Sequence, residues 1–208
     1  MDRHRGTLAA AALLTLVCAA CGSDPDNGAD ALKKACGGVL DSATIKEASE
    51  NERFSRLHDV SKSEPYALAA KTILEEDHAA YVCEVAIRDA PVGGGKGLSI
   101  EFSPGQRSLF PEHEERSFSG CRAYKLGSDM QATTESGSAS VYFHCKVKGR
   151  EDSLTVTGEM NNELDLSVDT RFRVLFRSSE KMVKLLKCAN AIDFPAPETM
   201  KPFPMDKD

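Results

Sequence analysis

The sequence predicts an α+β fold: an antiparallel sheet of two hairpins, with N-terminal helices before it and a C-terminal amphipathic helix packed on it. Three observations predict it. Two pairs of β-rich runs, 80–87 with 98–102 and 138–148 with 153–158, are each joined by a turn-forming connection, 91–97 and 149–152. Short helical stretches precede them. After them Phe172, Leu175, Phe176, Ser179, Met182, Val183 and Leu186 recur at steps of three and four, the spacing of one helical face.

The elements follow in order. Ala31, Leu32 and Ala35 give 29–35 a short helix, which Gly37-Gly38 ends just after Cys36. Asp41 or Ser42 then caps a second helix running to near Asn51, because either side chain accepts the free N–H groups of a first turn. Residues 55–65 are polar and stop at Pro65, which predicts a loop; residues 66–76, with Leu68, Ala69, Thr72 and Ile73, read as a third helix. The run 80–87 is β-branched and aromatic with Glu84 as its one charge, and 98–102 alternates apolar residues with Ser99 and Glu101. Residues 103–120 are turn-rich and expected as a long loop. Ala123 to Leu126 forms a short strand, and 138–148 a stronger one with Val141, Phe143, Cys145 and Val147 on one face. The closing helix is expected over 169–189, capped by Asp169, and the tail from Phe194 is extended because Pro195, Pro197, Pro202 and Pro204 interrupt it.

The first 24 residues bear on where the protein works. Arg3 and Arg5 precede an apolar run that ends in Cys18-Ala19-Ala20-Cys21. From Leu8 to Cys21 the run has 14 residues, short of the about 20 that a membrane span needs. A basic start, a short apolar stretch and small residues before a cut are the parts of an export signal. They resemble the lipobox of bacterial lipoproteins, with Cys18 where that family usually has Leu. The resemblance implies that Cys21 is acylated, palmitate included, and becomes the mature N-terminus. It divides the chain into signal peptide 1–20, tether 21–30, domain 31–193 and Pro-rich tail 194–208; two half-domains split near 120 are the alternative. Cleavage by ordinary signal peptidase at the same bond would give a secreted protein instead.

Without residues 1–20 the formal charge is −7, from 24 basic and 31 acidic residues. That balance argues against nucleic-acid binding, which needs a clustered positive excess. Trp is absent and aromatics are 6% of the chain, so an aliphatic core is expected. Seven cysteines in an exported chain read as a disulfide framework. With Cys18 removed and Cys21 acylated, five remain, and two bridges among five can form in 15 ways. Cys36 with Cys83 and Cys145 with Cys188 rank first, because each pair joins a strand residue to a helix end or Gly-rich corner across similar separations. Cys121 is then left free.

Motifs for chemistry are weak. Gly93-Gly94-Gly95-Lys96-Gly97 lacks the Ser or Thr and the spacing of a phosphate loop, and a strand follows it, so it reads as a hairpin connection. His58, His78, His113 and His144 lie in separate segments with no H-E-x-x-H, and none of the five remaining cysteines are spaced as C-x-x-C, so no metal site and no cofactor is expected. No G-x-S-x-G marks a hydrolase. A basic face on the closing helix, Arg171, Arg173, Arg177, Lys181, Lys184 and Lys187 against Glu180, is a candidate contact for a membrane or an acidic partner, with a solvated polar face as the plain reading.

The segments Cys36 to Asp41, Tyr81 to Val85, Val141 to Cys145 and Leu186 to Asn190 resemble actinobacterial lipoproteins of unknown function, a resemblance that implies no activity. The expectation is an exported, lipid-anchored protein at the cell membrane, facing outside the cytoplasm. Its partners would be the membrane through the anchor and an unknown protein or small-molecule ligand, without catalysis. A secreted enzyme with a loop-assembled site is the rival.

Overall fold

The computed structural model describes residues 26–59, 63–90, 95–105 and 121–202. Its core is one seven-stranded antiparallel sheet in the order β1-β2-β3-β7-β6-β5-β4: β1 Leu57–Asp59, β2 Ala80–Ile87, β3 Lys96–Gly105, β4 Arg122–Lys125, β5 Met130–Glu135, β6 Ser138–Cys145 and β7 Leu154–Asn162. Among the described residues four helices accompany it: α1 Asp26–Ala35, α2 Ser42–Ser49, α3 Tyr66–Glu75 and α4 Val168–Leu186. Both expected hairpins form, and the β3–β7 ladder fuses them. One sheet and one apolar core therefore take residues from both sides of position 120.

Register shows that the helices share one face. Cys83 pairs with Ile100, Ile100 with Met160 and Met160 with Ala139, so these four side chains point the same way. Cys83 is bonded to Cys36 at the end of α1, while on that same face the Tyr124 ring meets Phe172 of α4 edge-on at 5.3 Å. Helix α3 leans on α4 and on β2 and β3. Along β6, Ala139, Val141, Phe143 and Cys145 are buried and the residues between them are half-exposed. At the centre Gly158 makes close packing possible: a Cβ there would lie 2.7 Å from Cε1 of the Phe102 ring.

Several expectations change. Residues 55–65 contain β1 as well as loop, because Leu57 pairs with Ile87 and buries fully at the sheet edge. β3 continues through Pro104, where β2 has already ended at its Ala80–Phe102 pair and only the β7 ladder remains. β5 was not expected as a strand. Met130, Ala132 and Thr134 do alternate inward, but Ala and Thr carry too little hydrophobicity to announce it.

The cap of α4 is Ser167, whose hydroxyl accepts from the Thr170 N–H at 3.3 Å, and Asp169 sits inside the first turn. The helix stops at Leu186, short of 189, since Lys187 turns left-handed (φ 56°) and the Ala189 N–H pairs with the Lys146 carbonyl. The tail is not simply extended. Phe194 stacks on Phe176 at 5.2 Å, residues Pro197–Thr199 form a 3-10 turn against α4, and Pro202 bridges to Tyr124 on edge strand β4.

Candidate binding face

With the helices on one side, the other face of the sheet is laid out in rows by the strand register. Tyr81, Glu101, Glu159, Ser140 and Thr133 form one row across β2, β3, β7, β6 and β5. Two residues further along the strands, Glu84, Ser99, Asn161 and Ser138 form the next. On the other flank Ser103, Thr157 and Tyr142 follow. Alternation explains why: each strand gives its apolar set to the helices and leaves hydroxyls, amides and carboxylates on this side.

Charge gathers at the β2–β3–β7 end. The Lys96 ammonium lies 4.3 Å from the centroid of the Tyr81 ring. Hydrogen bonding to the Glu101 carboxylate raises the Tyr81 phenol above its usual range. Burial alone would lower Lys96, but the Tyr81 hydroxyl, Glu84 and Glu101 outweigh it and the net direction is upward. Glu159 accepts from the Asn161 side-chain amide at 3.0 Å.

On the helix side a cleft of about 230 Å³ opens between the end of α1, β1 and the start of α3, lined in part by Lys34, Asp59, Ser63, Glu64 and Tyr66. Lys34 and Asp59 pair across it at 3.0 Å. Burial pushes the Tyr66 phenol up to about 12 against the opposing effect of its hydrogen bond with the Ser178 hydroxyl, 2.7 Å long. The cleft is too small for a ligand of ordinary cofactor size.

The expected site residues separate into three groups. Cys21 and His113 lie outside the described residues, as do Gly93 and Gly94. The bridges are Cys36–Cys83 and Cys145–Cys188, and Cys121 is a half-buried free thiol. These bonds belong to an oxidising compartment outside the cytoplasm. Burial and the neighbouring Glu135 carboxylate raise the Cys121 thiol, which makes it a poor nucleophile at neutral pH.

The basic set on α4 is not a single exposed face. Arg171 is only 8% exposed and turned inward: its Nη1 donates to the Glu135 and Ser138 carbonyls of the β5–β6 turn at 2.8 and 2.7 Å, the Ser138 carbonyl also accepting from the Thr134 hydroxyl at 2.8 Å. Arg177 pairs with Asp41 at 2.5 Å, and Lys181 donates to the Gly37 carbonyl at 2.6 Å while lying 4.8 Å from the Tyr66 ring centroid. Half the candidate contact thus fastens α4 to the β5–β6 turn and the α1–α2 connection. Arg173 is half-buried, and Lys184 and Lys187 are exposed.

Among the described residues no group of three or more His, Cys, Asp or Glu could hold a metal ion, and no helix is long and apolar enough to cross a membrane. Sequence reasoning had no means of selecting Tyr81, Lys96, Glu101 and Glu159, since their meeting depends on β2–β3–β7 pairing. The one available signal was the outward half of the alternation in 80–87 and 98–102. Comparison of the chain with protein-family models, curated proteins and solved structures finds no match.

Proposed function

We propose that this chain is a non-catalytic binding module that works outside the cytoplasm, held at the membrane by acylation of Cys21, and that it meets its partner with the face of its sheet that is helix-free among the described residues. The observation that carries the reading is the one-sided architecture. The four described helices and the core occupy one side, while the other carries aligned rows of hydroxyl, amide and carboxylate groups over adjoining strands, with Ser99 and Glu84 buried among them. A rigid, hydrogen-bonded platform of that kind suits recognition of an extended polar surface without a deep pocket. The disulfides support the location, and the small residues before Cys21 support the anchor.

The test has two arms. Palmitate labelling and detergent-phase partition should both be lost in Cys21→Ser; an unlabelled, aqueous wild-type protein would remove the anchor. Immobilised protein is then offered envelope extract as wild type, as Ser140→Arg with Thr157→Arg on the helix-free face, and as Glu180→Arg on α4. Capture that survives the double face variant as well as it survives Glu180→Arg would remove the sheet face from the reading.

A further inference from the structure

We infer that the corner formed by the β6–β7 turn and the last turn of α4 is a docking surface for an anionic bilayer, with Lys146, Lys148, Arg150, Lys184 and Lys187 meeting the headgroups and Leu185 entering the interface among them. This corner is separate from the sheet face proposed above, and its contact is independent of that face.

The placement comes from the second disulfide. Cys145 ends β6 and Cys188 follows α4, so their bond holds the strand end against the helix end. Backbone pairing continues the seam: Val147 forms an antiparallel bridge with Cys188, and the Ala189 N–H donates to the Lys146 carbonyl at 2.7 Å. The Asn190 side chain closes it, accepting from the Lys146 N–H and donating to the His144 carbonyl, both at 2.8 Å. The same register brings Lys148 alongside Lys187. Bases from two distant segments thus share one rigid corner, which the helical period of α4 alone does not show.

All five are exposed, and among the described residues none has a carboxylate within 4.0 Å. The acids of the corner are Glu151 and Asp152, next in the turn, and Glu180, one turn before Lys184. Bases therefore exceed acids here, in a chain whose formal charge without residues 1–20 is −7. Lys187 adds a backbone observation. Its φ of 56° is left-handed, at the helix end where glycine is the usual residue. A lysine there costs stability that the helix dipole offsets only in part.

Leu185 selects a bilayer over a soluble polyanion. At 38% exposed it is one of two exposed large hydrophobic residues among those described, and it lies between Lys184 and Lys187. An apolar side chain ringed by bases suits the headgroup and acyl boundary, whereas a dissolved polyanion gains nothing from it. Helix α1 begins at the other end of the sheet, where Gly28 packs on Phe54 ahead of the Leu57–Ile87 pair. The eight residues of β6 span about 27 Å, so an anchor before α1 and this corner would hold the sheet at both ends, its strands along the membrane.

The experiment floats protein from residue 21 onward, made as Cys21→Ser so that it carries no lipid, with vesicles of phosphatidylcholine alone or mixed with phosphatidylglycerol. It should float with the anionic vesicles only, and less at physiological than at low ionic strength. Two separate groups of substitutions, Lys146→Gln with Lys148→Gln and Arg150→Gln on the turn, and Lys184→Gln with Lys187→Gln on α4, should each weaken partition at least about tenfold. Leu185→Ser should weaken it several-fold at unchanged charge. Lys187→Gly should weaken it about fivefold while raising the urea midpoint, which separates the contact from the fold. No flotation with anionic vesicles at low salt, or indifference to the turn variant, would overturn the inference. So would a Leu185→Ser protein that floats like its parent while dissolved polyphosphate binds the parent as tightly as vesicles do, since the partner is then a soluble polyanion. The protein floated has no lipid and an unaltered sheet face, so these failures are distinct from failure of the Cys21 anchor or of the proposed binding face.

Discussion

At the scale of single residues, Asp41 joins two roles that the sequence showed only in part. As the cap of α2 its Oδ1 accepts from the Thr44 N–H and hydroxyl, both at 2.8 Å, and its Oδ2 takes the Arg177 guanidinium from α4. The capping role was readable from Asp-Ser before an apolar segment, but the ion pair links positions 136 apart and was not. These bonds, the Thr44 N–H first and Arg177 next, hold the carboxyl well below its ordinary value of 3.8. The depressed folded value sets the sign: the charge contributes stability above about pH 4, and that contribution is lost as pH falls towards the folded value. Asp41→Asn keeps a capping oxygen and loses the charge, so at neutral pH it should cost under about 1 kcal/mol, as partly exposed pairs do. Stabilities of wild type and Asp41→Asn should converge on acidification, whereas Asp41→Ala should remain lower by about 1 kcal/mol even in acid because the cap itself is gone. A gap between wild type and Asp41→Asn that does not close below pH 4 would assign the effect to shape instead of charge.

At the scale of elements, α4 separates what periodicity can tell from what it cannot. The apolar stripe was legible because Phe172, Leu175, Phe176, Met182 and Leu186 obey the helical period and are buried as it requires. The opposite face was misjudged, since a row of bases looks the same in sequence whether it meets solvent or the carbonyls of a distant turn. Arg171 and Lys181 meet such carbonyls and Arg177 meets the Asp41 carboxylate, and of the six only Lys184 and Lys187 remain fully exposed. Two expectations follow for chemical denaturation. Phe172→Ala empties a fully buried site between Tyr124 and Phe176 and should cost about 3–5 kcal/mol. Lys184→Gln with Lys187→Gln should stay within about 0.5 kcal/mol of wild type. The same double variant, made without the lipid, measures any membrane contact by this helix. Absence of flotation by the unlipidated wild type would leave the proposed acylation of Cys21 as the attachment, and flotation that the double variant loses would restore the basic end of α4 as a second contact.

At the scale of the whole molecule, the two hairpins were legible because each pairs neighbours in sequence. The β3–β7 ladder that fuses them was not, because it joins distant segments whose inner faces are equally apolar. The candidate face inherits that limit: its residues are individually ordinary serines, threonines and glutamates until the ladder aligns them. The disulfides were legible by contrast, since cysteines are few and each bridge ties a strand to a helix end. They cross the layers at separate places, Cys36–Cys83 joining the end of α1 to β2 and Cys145–Cys188 joining the end of β6 to the residues after α4. Their sequence separations, 47 and 43, imply about 4 kcal/mol each if a cross-link acts by restricting the unfolded chain. The two closed segments do not overlap, so each restricts a different part of the unfolded ensemble and the effects should add within about 0.5 kcal/mol. Domains of this size carry roughly 5–15 kcal/mol in all. Either double-serine variant should therefore fold with a lowered urea midpoint, and the quadruple variant should lose most or all of its stability. Midpoints and slopes for the three variants decide the matter. If one pair removes nearly everything and the other almost nothing, the bridges act through the native packing of one corner, and restriction of the unfolded chain is not how they stabilise this fold.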